Sequence, residues 1–379
     1  MNFTLIAGHL RIKNGYFYIV LNLKDDDGKR KQKWISTKLT VKGNKKRAEQ
    51  LLSDARIQYT KAQNQYNKSK GIYFEAIMLK WLQNRKLHVS KTTYDGYTYN
   101  VNNGILPYFR QYDLLISELR AHHLEAYYNA MIERGLSPNT VWRHHANIRM
   151  ALDEAIHNEL ITYNPAVHAT VPKKEAFMVS PYTQAECQAL LEAVKGGEIE
   201  LIVMMALTYG LRRSEILGLK WKSINFYEDT ILINHSVVNV IEDGRLVRNG
   251  RDILKKKSSF RTLPLIDFIK ANVLQESFRQ CGGYPSDPEA YIFVNRKGSV
   301  INPNYVSKKF KSILRAHNLR EIRFHDLRHS CANLLITART PLIEVQQWLG
   351  HSSIMTTADI YSHLAYDTKI QSAETIKKN

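Results

Sequence analysis

Near the start of the chain, apolar and polar positions alternate before they recur at helical spacing. The run YFYIVLNL, residues 16–23, is rich in aromatic and β-branched side chains and predicts a strand. An Asp-Gly pair, Asp27 and Gly28, predicts a hairpin turn, and KQKWISTKL then alternates as the returning strand. Apolar residues after Asn44 follow a helical period. We therefore predict a small β-sheet with one helix over residues 1–65.

Residues 72–168 keep a helical period almost throughout. Turn signals such as Pro107 and Gly135 divide them into four amphipathic stretches, and Ser137–Pro138 is typical of a helix start. This pattern predicts a domain of four helices. The following segment, TVPKKEAFMVSPYT, contains two prolines and no period, which indicates an interdomain linker.

Residues 180–379 have a mixed pattern that predicts a third, larger domain. A strongly apolar helix precedes Gly210, and TILINHSVVNVI and SSFRTLPL are typical of strands. Helical spacing returns in YVSKKFKSILRAHN, DLRHSCANLLITA, PLIEVQQWLGH and TADIYSHL. The predicted fold class is multidomain α+β. It comprises a small β-sheet-plus-helix domain, a four-helix domain and a mainly α mixed domain with a small antiparallel sheet.

The charge of the chain narrows the class of partner. The 379 residues include 54 Lys and Arg against 35 Asp and Glu, a net charge of +19. The first 70 residues alone contain 16 basic and 5 acidic side chains, which is more than half of that excess. A large and local basic excess favours a polyanion, because each Lys or Arg set against a phosphate releases counterions. Basic proteins also bind acidic membranes, so charge alone does not name the partner. Composition favours a nucleic acid, and the local excess favours a DNA-binding module at the front over a merely solvated face.

The cysteines and the hydropathy pattern predict neither cofactor nor membrane span. Cys187, Cys281 and Cys331 are far apart and form no CxxC pair, so we expect no zinc site, no disulfide framework and a reducing cytoplasm. No uncharged stretch reaches the roughly 18 residues that a membrane helix requires.

Four short motifs of the last domain carry candidate chemistry. LTYGLRRSEILGLKW contains Arg212 after a glycine turn and then Glu215, and LKKKSSFRTLPL holds a lysine cluster. FHDLRHS contributes His325 and Arg328, and WLGHSSIMTTADIYSHL contributes His351 and Tyr361. Cleaving DNA without a metal requires a nucleophile, and a phosphotyrosine conserves the bond energy for rejoining. Planar guanidiniums match the charge that develops on phosphate oxygens in the transition state.

In this order, the motifs resemble the tyrosine recombinase (phage integrase) family. The resemblance covers the last domain. The four-helix region is similar to the core-binding domain of the family, and the front resembles the arm-binding domain of phage and conjugative-transposon integrases.

The resemblance implies a role for each site residue. Tyr361 is the nucleophile that forms a 3′-phosphotyrosine, and Arg212 and Arg328 stabilise the transition state. Lys255 protonates the leaving 5′ oxygen, although the adjoining Lys256 and Lys257 leave that assignment open. His325 and His351 act in acid–base catalysis and hydrogen bonding at the phosphate. Glu215 holds Arg212.

The resemblance also implies partners and a setting. We expect double-stranded DNA with core-type and arm-type attachment sites, a homotetramer on that DNA, and a DNA-bending host factor or an excisionase. We expect no cofactor, no metal, no membrane, and a location in the cytoplasm of a bacterial host, at the nucleoid. The reaction would integrate or excise a mobile element without metal or ATP.

Three alternatives remain open at this point. A type IB topoisomerase shares the arginine, lysine, histidine and tyrosine chemistry but needs no arm-binding domain. A non-catalytic DNA-binding regulator would tolerate loss of a site residue, yet every expected residue is present. A metal-dependent nuclease would require an acidic cluster near the basic motifs, and the sequence shows none.

Overall fold

A computed structural model describes residues 6–24, 30–69, 71–175, 180–242, 245–252, 260–351 and 353–355. The chain divides into two compact units, Met1–Ala176 and Phe177–Asn379. The predicted linker, residues 170–183, contains this division. The predicted sheet-and-helix and four-helix segments both fall in the first unit, so a separate boundary between residues 65 and 72 stays a prediction.

The front of the first unit is an antiparallel three-stranded sheet with one long helix. The strands pair in the order β1-β2-β3, and their bounds are β1 Gly8–Lys13, β2 Tyr16–Lys24 and β3 Arg30–Thr40. Helix α1 spans Lys45–Ser69 and therefore extends beyond residue 65. Strand β1 was not predicted, because its apolar residues are few. Ile19, Leu21 and Ala48 are buried, because α1 packs against the sheet face that carries Ile19 and Leu21. Val20, on the opposite face, is buried as well.

The rest of the first unit is helical, as predicted. Its helices are α2 Phe74–Arg85, α3 Lys91–Asn100, α4 Leu106–Phe109, α5 Ala121–Glu133 and α6 Pro138–His157. A π-helical segment, Val101–Ile105, joins α3 to α4 without a break, so the two form one of the four predicted helices. Ser137 caps α6 by accepting a hydrogen bond from the Thr140 amide.

The second unit combines seven α-helices and five strands among its described residues. The helices are α7 Gln184–Val194, α8 Glu200–Tyr209, α9 Arg213–Ile216, α10 Asp267–Cys281, α11 Pro303–Ala316, α12 Asp326–Thr337 and α13 Leu342–Leu349. The strands are β4 Ile224–Asn225, β5 Thr230–Ile233, β6 His235–Glu242, β7 Arg245–Asp252 and β8 Arg261–Pro264. The predicted α+β class is confirmed.

The strands of this unit form two separate antiparallel sheets, β4-β5-β8 and β6-β7. The prediction of one strand over residues 230–241 was wrong, because the chain leaves the first sheet at Asn234 and enters the second. Helix α8 is apolar on nearly all sides and forms the centre of the core, where Val203, Met205 and Leu327 are fully buried. The predicted helix TADIYSHL lies outside the described residues.

Candidate active site

Arg212 lies at the sharp turn between α8 and α9. Gly210 ends α8 with φ of +59°, a conformation that costs glycine little, and an added Cβ would lie 2.2 Å from a Leu349 methyl carbon. Arg212 is therefore held at the start of α9. Its Nη1 donates to Oε1 of Glu215 over 2.6 Å, and its backbone amide donates to Oε2 over 3.0 Å. The prediction that Glu215 contacts Arg212 agrees with this geometry.

Glu215 also bonds to a second arginine. Nη2 of Arg261 donates to Oε2 of Glu215 over 3.1 Å, and Nε of Arg261 donates to the Trp348 carbonyl over 2.9 Å. The carboxylate is only 2% exposed, which favours protonation, but Arg261 and Arg212 together hold the pKa of Glu215 below its ordinary value. Glu215 is therefore a buried carboxylate that stays ionised between two cations.

Arg261 was missed in the sequence. The signal available was its position as the fourth residue of the predicted strand SSFRTLPL, which directly follows the lysine cluster. An arginine there is most often exposed, and only the structure reveals its burial.

Arg328 is the most deeply buried cation of the group, with 2% of its surface exposed. Nη1 donates to the Gly210 carbonyl over 2.6 Å, and Nε donates to Nε2 of His351 over 3.2 Å. The remaining nitrogen of its guanidinium group, Nη2, is buried and has no hydrogen-bond partner among the described residues. Burial, and then the charge of Arg212, lower the pKa of Arg328 to about 9. A buried guanidinium with an unused donor is a ready site for an anion.

His351 follows the C-terminal end of α13, where Gly350 adopts φ of +71° and turns the chain. His351 is buried, with 8% of its surface exposed. Burial lowers the pKa of His351 to about 3, and the charges of Arg328 and Arg212 add to this effect. His351 is therefore neutral at physiological pH in the absence of DNA.

His325 is the N-cap of α12, three residues before Arg328. Its side chain reaches solvent at the edge of the site, and its ring lies 5.5 Å from that of His329. Desolvation, followed by the charges of His329, Arg328 and Arg212, lowers the pKa of His325 to about 4. A neutral imidazole that reaches solvent can accept a proton from a substrate or nucleophile.

Arg212 and His325 line the same cavity, which has a volume of about 560 Å³. Arg213, Arg323 and Ser307 also line it, so its wall is basic and rich in hydrogen-bond donors. Arg212 keeps 35% of its side chain exposed. The cavity therefore suits an anionic substrate that approaches from solvent.

The structure brings together Arg212, Glu215, Arg328 and His351, with His325 at the edge. The other two predicted site residues, Lys255 and Tyr361, lie outside the described residues, and their roles stay predictions. No cluster of His, Cys, Asp and Glu that could hold a metal occurs in the described part of the chain. No described helix is long and apolar enough to span a membrane.

Two family models match the chain. The Phage integrase family model matches residues 182–368, and the model for the Phage integrase N-terminal SAM-like domain matches residues 73–132. The chain belongs to the phage integrase family of tyrosine recombinases. Members of this family cleave and rejoin DNA, so the protein is a DNA-recombining enzyme.

Curated relatives carry the same names. The chain is 28% identical over 283 residues to a "Tyrosine recombinase XerC-like" protein of Caldanaerobacter subterraneus subsp. tengcongensis, a match covering 70% of this chain and 72% of the relative. It is 25% identical over 326 residues to the "ICEBs1 integrase" of Bacillus subtilis, which covers 84% and 86%. The chain is thus similar to both relatives over most of their length.

Solved structures of tyrosine recombinases share the fold. The Tn1549 transposon integrase in complex with transposon right end DNA matches with a TM-score of 0.67 and 21% identity, over 81% of this chain and 100% of that one. A lambda integrase tetramer bound to a Holliday junction matches with a TM-score of 0.57 and 17% identity, over 93% and 94%. At these identities, the likeness concerns the fold alone.

Proposed function

We propose that this recombinase is the integrase of a mobile element, and that it cleaves attachment-site DNA through a 3′-phosphotyrosine at Tyr361. The observation that carries the proposal is the buried, unused Nη2 of Arg328 close to Arg212. Arg328 bonds only to neutral groups in the contacts described above, and Arg212 and Arg261 divide one carboxylate between them. The site therefore has an excess of positive charge that a scissile phosphate would neutralise.

The reaction follows from the residue chemistry. The phenolic oxygen of Tyr361 attacks phosphorus and gives up its proton, for which neutral His325 is a suitable acceptor. Arg212 and Arg328 stabilise the charge on the nonbridging oxygens, and Lys255 donates a proton to the leaving 5′ oxygen. Attack of a 5′ hydroxyl on the phosphotyrosine reverses these steps, so rejoining requires no ATP. Mg²⁺ is not part of this scheme.

The proposal includes a second DNA contact at the front of the chain. Arg11 lies 5.6 Å above the Trp34 ring, and the Tyr18 ring lies 6.3 Å from it, all on the face of the three-stranded sheet opposite Ile19 and Leu21. Trp34 is 42% exposed. A basic and aromatic sheet face suits insertion into a DNA groove, which supports an arm-type site.

We further propose core-type DNA as the ligand of the helical segment 72–168 and of the catalytic unit. Exchange of four strands requires four protomers, so the proposed assembly is a homotetramer on DNA. Arm sites lie apart from core sites, so a DNA-bending host factor or an excisionase would bring them together. The proposed location is the nucleoid of a bacterial host.

A nicked suicide duplex carrying the end of the element tests the nucleophile. The wild-type protein should form a covalent adduct, whereas Tyr361→Phe should bind the duplex without forming one. Tyr366→Phe is the matched control, because it removes a hydroxyl from the same segment and should react normally. An adduct formed by Tyr361→Phe, or none formed by the wild type, would overturn the proposal.

A further inference from the structure

Arg261 lies where three segments of the catalytic unit meet. It is the first residue of β8, immediately after the segment that contains Lys255, and it pairs with Ile233 of β5. Its side chain is 8% exposed. A buried guanidinium is tolerated only where acceptors surround it, so its contacts indicate what it is retained for.

Arg261 and Arg212 divide the two oxygens of Glu215. Oε1 accepts from Nη1 of Arg212, while Oε2 accepts from Nη2 of Arg261 and from the Arg212 amide. Arginine and a carboxylate favour a two-bond fork, which would occupy a second guanidinium nitrogen of Arg212. Arg261 competes for Oε2, so Arg212 binds Glu215 through one side-chain nitrogen. Among the residues that the structure describes, Nη2 of Arg212 makes one hydrogen bond, a long contact of 3.4 Å with the Gly350 carbonyl.

The second contact of Arg261 connects the same network to His351. Nε donates to the carbonyl of Trp348, in the last turn of α13 and three residues before His351. Arg212 reaches the Gly350 carbonyl of the same turn. The contacts therefore form a closed ring from Arg212 through Glu215 and Arg261 to the end of α13, and back to Arg212.

We propose that Arg261 is a positioning residue for strand cleavage. By holding Oε2 of Glu215 and the Trp348 carbonyl, it leaves a terminal nitrogen of Arg212 available to the phosphate and keeps His351 beside Arg328. This inference rests on the proposed function of the site, because it requires the phosphate to bind at Arg212.

Single-turnover cleavage of the suicide duplex, at saturating protein, separates positioning from stability. The rate constant reports the geometry of folded molecules, and the amplitude reports how many molecules are folded. We expect Arg261→Met to bind the duplex normally and to cleave about 100-fold more slowly, since a displacement of roughly 1 Å costs that much. Arg261→Lys keeps the charge but cannot hold Glu215 and the Trp348 carbonyl together, so it should show an intermediate rate constant. This variant carries the test if the methionine variant does not fold.

The matched control is Arg279→Met, because Arg279 forms an ion pair with Glu276 at the surface, far along the chain from the motifs. It should cleave at the wild-type rate. A reduced amplitude with an unchanged rate constant in both Arg261 variants would reduce Arg261 to a structural residue and overturn the inference. A wild-type protein that forms no adduct would instead overturn the proposed function.

Two further measurements test the route through Glu215. The rate losses of Arg261→Met and Glu215→Gln should be smaller in combination than their product, because both act on one carboxylate. A duplex with a 5′-bridging sulfur has a leaving group that needs no proton. The Arg261→Met defect should persist on that duplex, and full rescue would mean that Arg261 acts on the lysine segment, contrary to the inference.

Discussion

Nε of Arg328 donates a hydrogen bond of 3.2 Å to Nε2 of His351. Nε2 is therefore an acceptor, and the neutral imidazole carries its proton on Nδ1. Arg328 and the surrounding burial keep His351 uncharged, so the positive charge of the site resides on arginines. Those charges do not depend on the pH of the cell, and His351 and His325 are both neutral near pH ~7.

Replacement of Arg328 by Lys should nearly abolish cleavage. A single ammonium group cannot reach the Gly210 carbonyl, His351 and the phosphate together. Loss of one such donor typically costs about 10²–10³ in rate, which single-turnover cleavage would measure. Arg315→Lys is the control, because Arg315 pairs with Glu321 at the surface. A loss below about tenfold for Arg328→Lys would contradict the role assigned to it.

Replacement of Lys255 by Ala should slow cleavage of ordinary DNA by about 10²–10⁴, the usual contribution of a general acid. A duplex with a 5′-bridging sulfur should restore the rate, because a thiolate leaves without a proton. Lys256→Ala and Lys257→Ala are matched controls from the same run of lysines. If one of them shows the rescued defect and Lys255→Ala does not, the general acid is that residue.

Acid should destabilise the catalytic unit through His351. The pKa of His351 is about 3 in the folded protein, against 6.5 for an ordinary histidine in the unfolded chain. As pH falls below 6.5, the unfolded chain therefore binds more protons than the folded protein does. The stability contributed by neutral His351 is thus present above that pH and is lost progressively below it, by about 2 kcal/mol at pH ~5.

Urea unfolding near pH 7.5 and near pH 5, followed by Trp fluorescence, measures this loss. His351→Gln cannot titrate and should lose less stability between the two pH values than the wild type. His325, whose pKa is shifted in the same direction, remains in both proteins. Equal losses in the two proteins would show that His351 is protonated when folded.

Deletion of residues 1–65 should leave cleavage of a core-site duplex intact and abolish recombination between full attachment sites. Loss of core cleavage on deletion would instead make the front segment part of the catalytic body.

Within the front sheet, Trp34→Ala should weaken binding of an arm-site duplex, since it removes a stacking surface and the partner of Arg11. Lys33→Ala is a control on the face covered by α1, where Lys33 lies 5.0 Å above the Tyr59 ring.

Truncation after Leu364 tests how protomers assemble. The removed segment contains Ile370 and Ile376, and we predict that it packs on a neighbouring protomer in a cyclic arrangement. A few apolar side chains contribute roughly 1.5–3 kcal/mol each, so assembly should depend on DNA. Light scattering should find a monomer without DNA, and the truncated protein should bind DNA but form synaptic complexes weakly. A stable tetramer without DNA, or normal synapsis after truncation, would refute the idea.

The sequence by itself determined the elements and the chemistry. Helical spacing predicted the helices of residues 72–168, and Gly210 and Ser137 marked a turn and a helix start that the structure contains. These features depend on the conformational preferences of single residues and on the period of apolar side chains, and both are visible within a short stretch of sequence. The ordered motifs around Arg212 and Arg328 identified the family, and the family models confirm it.

Only the tertiary structure decided how those residues meet. An arginine on a polar helix start is ordinarily exposed, yet Arg328 is buried, because Gly210 offers a carbonyl 118 positions away along the chain. Arg261 joins Glu215 across 46 positions for a similar reason. Residues 230–241 look like one strand, but two sheets divide them. Contacts between distant residues leave no period in the sequence, so burial and pairing of these charges follow only from the packed fold.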